Sequence, residues 1–302
     1  LAIQLTIFPD DVEPLYDNIY EYNQLQQEES AKFVKVTAKV IHQQNNAPVE
    51  GVQVVLSSQS TPFSGFHRHT DNRPSGRFFL NDFDLDPKLT LGQRTNAQGE
   101  VSALYRVSGI SGQEIVTATL AAIPSIYKVK EVLIRRQGFV ELLPASNYIL
   151  TGSSLPNTPY PAAGSQHEKN HFGRPHLVEN LPKLAQEFTQ KYVNVYPSYT
   201  NVTMWYNDMS LPEGGPFDIF NNWDFTKAHR LHREGLSVDI PFYILYGNYP
   251  AIPNISNAKN NVENIAKDED ILRNAIEKIF PGGNAGFTLF IESGHWHLQL
   301  TI

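Results

Sequence analysis

Four histidines and three acids fall within two short segments of this chain. The first, H-R-L-H-R-E-G-L-S-V-D-I, runs from His229 to Ile240, and the second, E-S-G-H-W-H-L, from Glu292 to Leu298. Imidazole and carboxylate are ordinary zinc ligands, and a hydrolytic zinc site uses three protein ligands with one position open for water. A turn at Gly235 brings His232 and Asp239 toward one ion. Asp239 lies between Val238 and Ile240, and a carboxylate beside apolar residues needs a partner, which a metal supplies. His295 and His297 alternate with Trp296. In a strand, residues i and i+2 share a face, so the two histidines project together. One can ligate, and the other can carry protons as a general acid or base. Glu292 is the other candidate for that proton-carrying role.

These segments need a scaffold, and the periodicity of the chain predicts one in two parts. Residues 1–30 read as a leading strand, Ile3 to Phe8, and an acidic, tyrosine-rich arm. In K-F-V-K-V-T-A-K-V (Lys32 to Val40) apolar residues alternate with polar ones, the pattern of a half-buried strand. Further strands are expected at 52–56, 101–107, 115–120 and 129–134, with turns such as N-N-A-P-V-E-G and T-N-A-Q-G-E between them. Short strands separated by turns predict an all-β sandwich. Residues 62–91 interrupt it as a polar and aromatic insertion, and long loops of this kind often carry function. Gly138 to Pro161 is rich in Pro, Ser and Asn and reads as a linker or an extended wrap onto the second domain. Helical spacing of Leu181, Leu184, Phe188 and Tyr192 predicts a helix over 178–192, with Pro182 early in it. Two strand-like runs are expected over 193–206. Ile271, Leu272, Ala275, Ile276 and Ile279 form the stripe of a second helix, 268–280, stopped at Pro281. Strands at 287–291 and 297–302 flank a corner at Gly294 to Trp296. The domain boundaries are therefore 1–140 for the sandwich, 141–164 for the linker and 165–302 for an α+β domain with a small antiparallel sheet.

Composition narrows the function. The chain has 302 residues, a formal charge of −7 and no cysteine. Acidity argues against a nucleic-acid partner, which needs a basic face. Without cysteine there is neither a disulfide, nor a cysteine nucleophile, nor a cysteine metal ligand. Cysteine avoidance and the proline- and tyrosine-rich loops favour an exported protein: secreted, periplasmic or at the cell surface. No apolar run reaches the roughly eighteen residues of a membrane-spanning helix.

Two resemblances emerge from these motifs. The strand ending at Val40, P48-V-E-G-V52, T95-N-A-Q-G99 and V-T-A-T-L over 116–120 resemble the bacterial immunoglobulin-like repeats of surface adhesins, over about residues 30–135. That resemblance implies an immunoglobulin-like first domain with a cell-surface or protein partner. Over about residues 165–302, H-x-x-G-x-x-x-D followed by H-x-H resembles the zinc peptidases of the lysostaphin, D-Ala-D-Ala peptidase and hedgehog fold group. N207-D-M-S-L-P-E-G-G215, followed by H229-R-L-H-R-E-G-L-S-V-D-I240, looks most like the penicillin-insensitive murein endopeptidases. The resemblance implies a C-terminal α+β zinc-peptidase domain with His232, Asp239 and His297 as zinc ligands. It implies His295 as the catalytic or oxyanion-stabilising histidine, His229 as a further active-site histidine, and Glu292 as a parallel to the dipeptidase glutamate. The implied function is a zinc-dependent hydrolase cutting peptide bonds in peptidoglycan-like peptides by metal-activated water. The alternatives are a non-catalytic surface adhesion or assembly protein that retains the zinc, and a D-Ala-D-Ala-type dipeptidase. The longer gap between Gly215 and His229 and the missing cysteines depart from the murein endopeptidase pattern.

Other polar groups are expected to be structural. Asp208 and Ser210 either shape the turn before Gly214-Gly215 or support the site. Trp296 is expected in the core. His167, His171 and His176 read as a surface polar loop, with a cleft edge or second metal as the alternative. His67, His69 and Asp71 form a weak metal pattern. Asp82, Asp84 and Asp86 read as an acidic turn, and Tyr243, Tyr246 and Tyr249 as packing at a sheet edge.

Overall fold

The computed structural model describes residues 1–12, 33–62, 64–66, 73–80, 86–150, 169–197, 202–215, 232–241, 262–282, 286–292 and 295–301. The chain forms two units, the first built on Leu1–Gln137 and the second on the chain from Gly138 onward.

Among its described residues the first unit is built of β-strands, with one short 3-10 turn at Ser64–Phe66. Its strands are β1 (Ala2–Phe8), β2 (Asp11–Val12), β3 (Phe33–Ile41), β4 (Gln53–Ser60), β5 (Arg77–Phe79), β6 (Thr90–Arg94), β7 (Glu100–Arg106), β8 (Gly112–Leu120) and β9 (Ile123–Ile134). They make two sheets, ordered β1-β3-β7-β5 and β2-β9-β8-β4-β6. In β3, Val34, Val36, Ala38 and Val40 are buried. On the opposite face Lys39 meets Glu100 of β7 at 3.2 Å. The inward residues of both sheets join one core, in which Val36 and Val40 meet Leu56, Val116 and Ile134. This is the expected sandwich.

The insertion at 62–91 is not wholly outside the sandwich. Within it, Arg77–Phe79 pairs with Arg106–Leu104 as β5, and Phe78 and Phe79 are buried; their apolar rings are better placed in the core than in a loop. One carboxylate is buried beside them. Glu114 accepts hydrogen bonds from Tyr105 Oη at 2.6 Å, Gly76 N at 3.1 Å and Ser108 N at 3.2 Å, and burial pushes its pKa up. His67, His69, Asp71, Asp82 and Asp84 lie outside the described residues.

Among its described residues the second unit mixes strands and two α-helices: β10 (Val140–Glu141), β11 (Tyr148–Leu150), β12 (Phe172–Gly173), α1 (Pro175–Val195), β13 (Met204–Tyr206), β14 (Ser237–Pro241), α2 (Val262–Ile279), β15 (Phe287–Glu292) and β16 (His295–Leu300). Residues 141–150, expected within a linker, belong to this unit. β10 pairs with β12, β11 runs parallel to β13, and Leu142, Tyr148 and Leu150 enter its core. Helix α1 starts at Pro175, where a proline's missing N–H is harmless. Pro182 therefore lies inside the helix rather than at its start, and Asn147 Nδ2 donates to its carbonyl at 2.7 Å. The helix runs through Val195, so the first of the two strand-like runs over 193–206 is its last turn. Leu177, Leu181, Leu184 and Phe188 of α1 and Leu272, Ala275 and Ile276 of α2 pack with Trp296 and Leu298 in one core.

Candidate metal centre

The site stands on a three-stranded antiparallel sheet ordered β14-β16-β15. Strand alternation sorts its two faces. Val238, Ile240, Trp296 and Leu298 point into the helix-covered core, as expected for Trp296. The intervening residues make the other face. Across the sheet Asp239 is in register with His297, and His297 with Phe290. The backbone of His295 is in register with Pro241 on one side and Glu292 on the other.

His232 comes from a short 3-10 turn, His232–Glu234. Gly235 then redirects the chain into β14 at a positive φ of 67°, a backbone region that glycine enters without strain. Its N–H donates to His232 O at 3.2 Å, and its carbonyl accepts from Arg174 N at 2.7 Å. A Cβ here would lie 2.8 Å from the Phe139 ring and 3.0 Å from the Gly173 and Arg174 backbone. Gly235→Ala is expected to cost on the order of 2–4 kcal/mol from backbone strain and overpacking, read as a lower denaturant midpoint, and to weaken metal binding at His232.

On the far side of β14, the segment before the Gly-Gly pair braces Asp239. Asp239 N donates to Asp208 O at 3.0 Å, and Asn207 N donates to Asp239 O at 2.8 Å. The Asp208 carboxylate accepts from Asn170 Nδ2 and, at 3.2 Å, from Asn207 Nδ2. Asp208 thus shapes its segment and also sets the backbone of the candidate ligand.

The three candidate ligands converge. His232, Asp239 and His297 offer atoms that all lie within 4.8 Å of one another. His232 Nε2 is 3.2 Å and His297 Nδ1 2.8 Å from the same oxygen, Asp239 Oδ1. The side chains are only 1 %, 1 % and 2 % exposed. Around a tetrahedral ion with bonds of about 2.0–2.1 Å, neighbouring ligand atoms lie about 3.3 Å apart; the two spacings to Asp239 Oδ1, 3.2 and 2.8 Å, are near that value. The chemistry of the set fits as well. A buried carboxylate needs compensation, and a divalent cation held between it and the two rings supplies that compensation.

His295 stands beside this group, its Nε2 3.5 Å from Asp239 Oδ1 and its side chain 20 % exposed. Glu292 ends β15 opposite it, and its side chain is not among those described. His229, Tyr243, Tyr246, Tyr249 and His167 also lie outside the described residues. His171 and His176 do not form a surface polar loop. His171 is buried, with its carbonyl accepting from Leu142 N at 2.8 Å, because the strand Phe172–Gly173 draws it into the fold. His176 lies on α1 with its ring edge-on to Phe280.

Two neighbours were not anticipated. Ser237 Oγ lies 3.3 Å from His232 Nδ1, fully buried. Phe290 is 45 % exposed, with its ring 6.3 Å from that of His297. The signal for Ser237 was present: it precedes Asp239 by two in a strand and so shares its face.

No family model matches the chain, and no curated protein matches it. Several solved structures align with it. The adhesin InvE of Yersinia pseudotuberculosis is 11 % identical, with 73 % of this chain and 64 % of that one covered at a TM-score of 0.35. Invasin, a bacterial integrin-binding protein, is 13 % identical, covering 50 % and 23 % at 0.28. A C-terminal fragment of intimin, solved with the intimin-binding domain of its translocated receptor, is 12 % identical, covering 47 % and 34 % at 0.28. The alignments span less than two thirds of each of these chains.

Proposed function

We propose that the second unit binds one zinc ion through His232, Asp239 and His297 and hydrolyses amide bonds in peptidoglycan-like peptides. The observation that carries the metal assignment is the convergence of three buried ligand atoms within 4.8 Å. When bound, zinc would act as a Lewis acid and bring the pKa of water toward neutrality. The chain's own part is positional. His295, the more exposed of the pair on β16, stands where a side chain can pass protons to and from a substrate. Trp296 anchors the strand between the two histidines in the core, so that both are held at one spacing. We read the first unit as an immunoglobulin-like module that meets a cell-surface or protein partner, and the whole as an exported protein. Among the described residues no helix is long and apolar enough to cross a membrane.

A second reading has a specific observation in its favour. His295 Nε2 approaches Asp239 Oδ1 to 3.5 Å, close enough to serve as a fourth ligand. A closed four-ligand site is structural rather than catalytic, and the protein would then be a surface adhesion or assembly protein with a zinc-stabilised domain. His295→Ala separates the two. For the hydrolase, purified cell walls release peptides with the wild type and at least 100-fold more slowly with the variant, while zinc content stays at one per chain. For the structural site, neither protein releases peptides and the variant loses zinc affinity.

A further inference from the structure

We infer that Ser237 is a positioning residue for the metal centre, fixing the His232 ring in the tautomer that presents Nε2. This rests on the zinc assignment proposed above. A histidine binds a metal through a bare ring nitrogen, and its other nitrogen then carries the proton and needs an acceptor. In His232, Nε2 is the nitrogen that faces Asp239 Oδ1, at 3.2 Å. Nδ1 faces Ser237 Oγ at 3.3 Å, with both residues buried. The hydroxyl is thus placed to accept the Nδ1 proton once Nε2 is committed to the ion. Burial sharpens the requirement, since an N–H without an acceptor inside the protein costs about 1–3 kcal/mol.

The strand explains why the serine is there. Ser237 and Asp239 are two apart on β14 and share one face, so one element supplies both a ligand and the support for a second ligand. Ser237 is also in register with Gln299, two residues beyond His297 on β16. The hydroxyl is therefore held by the same ladder that sets Asp239 opposite His297. His232 itself comes from the 3-10 turn, outside the sheet, and its contact with Ser237 ties its ring to that frame. An apolar residue at 237 would remove that tie and the hydroxyl that faces Nδ1.

The test uses the full chain, with zinc affinity measured by competition against a chromophoric chelator. Ser237→Ala is expected to bind zinc 10–100-fold more weakly than wild type, the usual cost of losing such a supporting hydrogen bond. Ser237→Thr, which keeps the hydroxyl, is expected to recover most of the affinity. Nitrogen-15 NMR of the zinc-loaded wild type is expected to show a protonated Nδ1 on His232, which a merely space-filling serine would not dictate. If wild type binds one zinc and Ser237→Ala binds it equally well, or if the loaded His232 carries its proton on Nε2, this inference is overturned and the zinc assignment stands. If wild type binds no zinc, the assignment fails and the inference fails with it. Should the threonine not fit the buried position, the alanine affinity and the nitrogen-15 spectrum decide the matter.

Discussion

His232→Ala is expected to lose zinc affinity by about a thousandfold. Protein zinc sites bind with an apparent 10–16 kcal/mol, and one ligand of three carries roughly a third of that, which is about 4 kcal/mol. Asp239→Ala should be at least as damaging. Asp239 Oδ1 is the atom on which both ring nitrogens converge, at 3.2 and 2.8 Å, and without it two buried imidazoles lose their common partner. The loss has a second readout in stability. Zinc at one hundred times its Kd stabilises the folded chain by about 2.7 kcal/mol. At the same zinc concentration the His232→Ala and Asp239→Ala proteins are expected to melt where they melt in EDTA. A full zinc-induced shift in either variant would place the ion elsewhere.

Asp268→Asn is expected to stabilise the protein near pH 7.5 by about 1–3 kcal/mol and to leave it nearly unchanged near pH 4. Asp268 lies on α2, is 3 % exposed, and its Oδ1 makes no hydrogen bond among the described residues. Burial raises its pKa from 3.8 to about 6, against the opposing effect of a hydrogen bond from Tyr192 on α1. The sign follows from proton binding. The folded state holds this proton more tightly than the unfolded state, so the carboxyl costs nothing below pH 3.8. The cost grows as pH rises and is fully present above about 6. Asparagine keeps an oxygen for the Tyr192 hydroxyl and carries no charge to bury. Urea unfolding in EDTA from pH 4 to 8, for both proteins, checks this. The wild-type curve should fall relative to the variant between pH 4 and 6. Parallel curves would mean that Asp268 is solvated or paired in solution.

Much of this arrangement was legible in the residues, for physical reasons that differ by element. The alternation in Phe33 to Ile41 has one solution with a buried face, so β3 could be read directly. The stripe through Leu181, Leu184 and Phe188 likewise fixed a helix, but not its ends. α1 begins at Pro175 and continues through Val195, because a proline first turn and tertiary packing extend it beyond its apolar core. The segment over 141–150 misled because Pro, Ser and Asn suggest a linker, while Leu142, Tyr148 and Leu150 find burial only against partners distant in sequence. At the site, strand period placed His295 with His297, and the Gly235 turn placed His232 near Asp239. Bracing of Asp239 by Asn207 and Asp208 was not legible, since it is backbone pairing between segments some thirty residues apart. Whether His295 carries protons or closes the site is also invisible to spacing, because both roles ask for the same residue in the same place.

The measurement that bears most directly on the metal centre is the zinc content of the wild-type chain, freed of metal with chelator, dialysed and titrated with zinc, then examined by X-ray absorption. One zinc per chain, bound by nitrogen and oxygen donors at about 2.0–2.1 Å with no sulfur, is the predicted result. A chain that takes up no zinc, or takes it up equally well after His297→Ala, would contradict it.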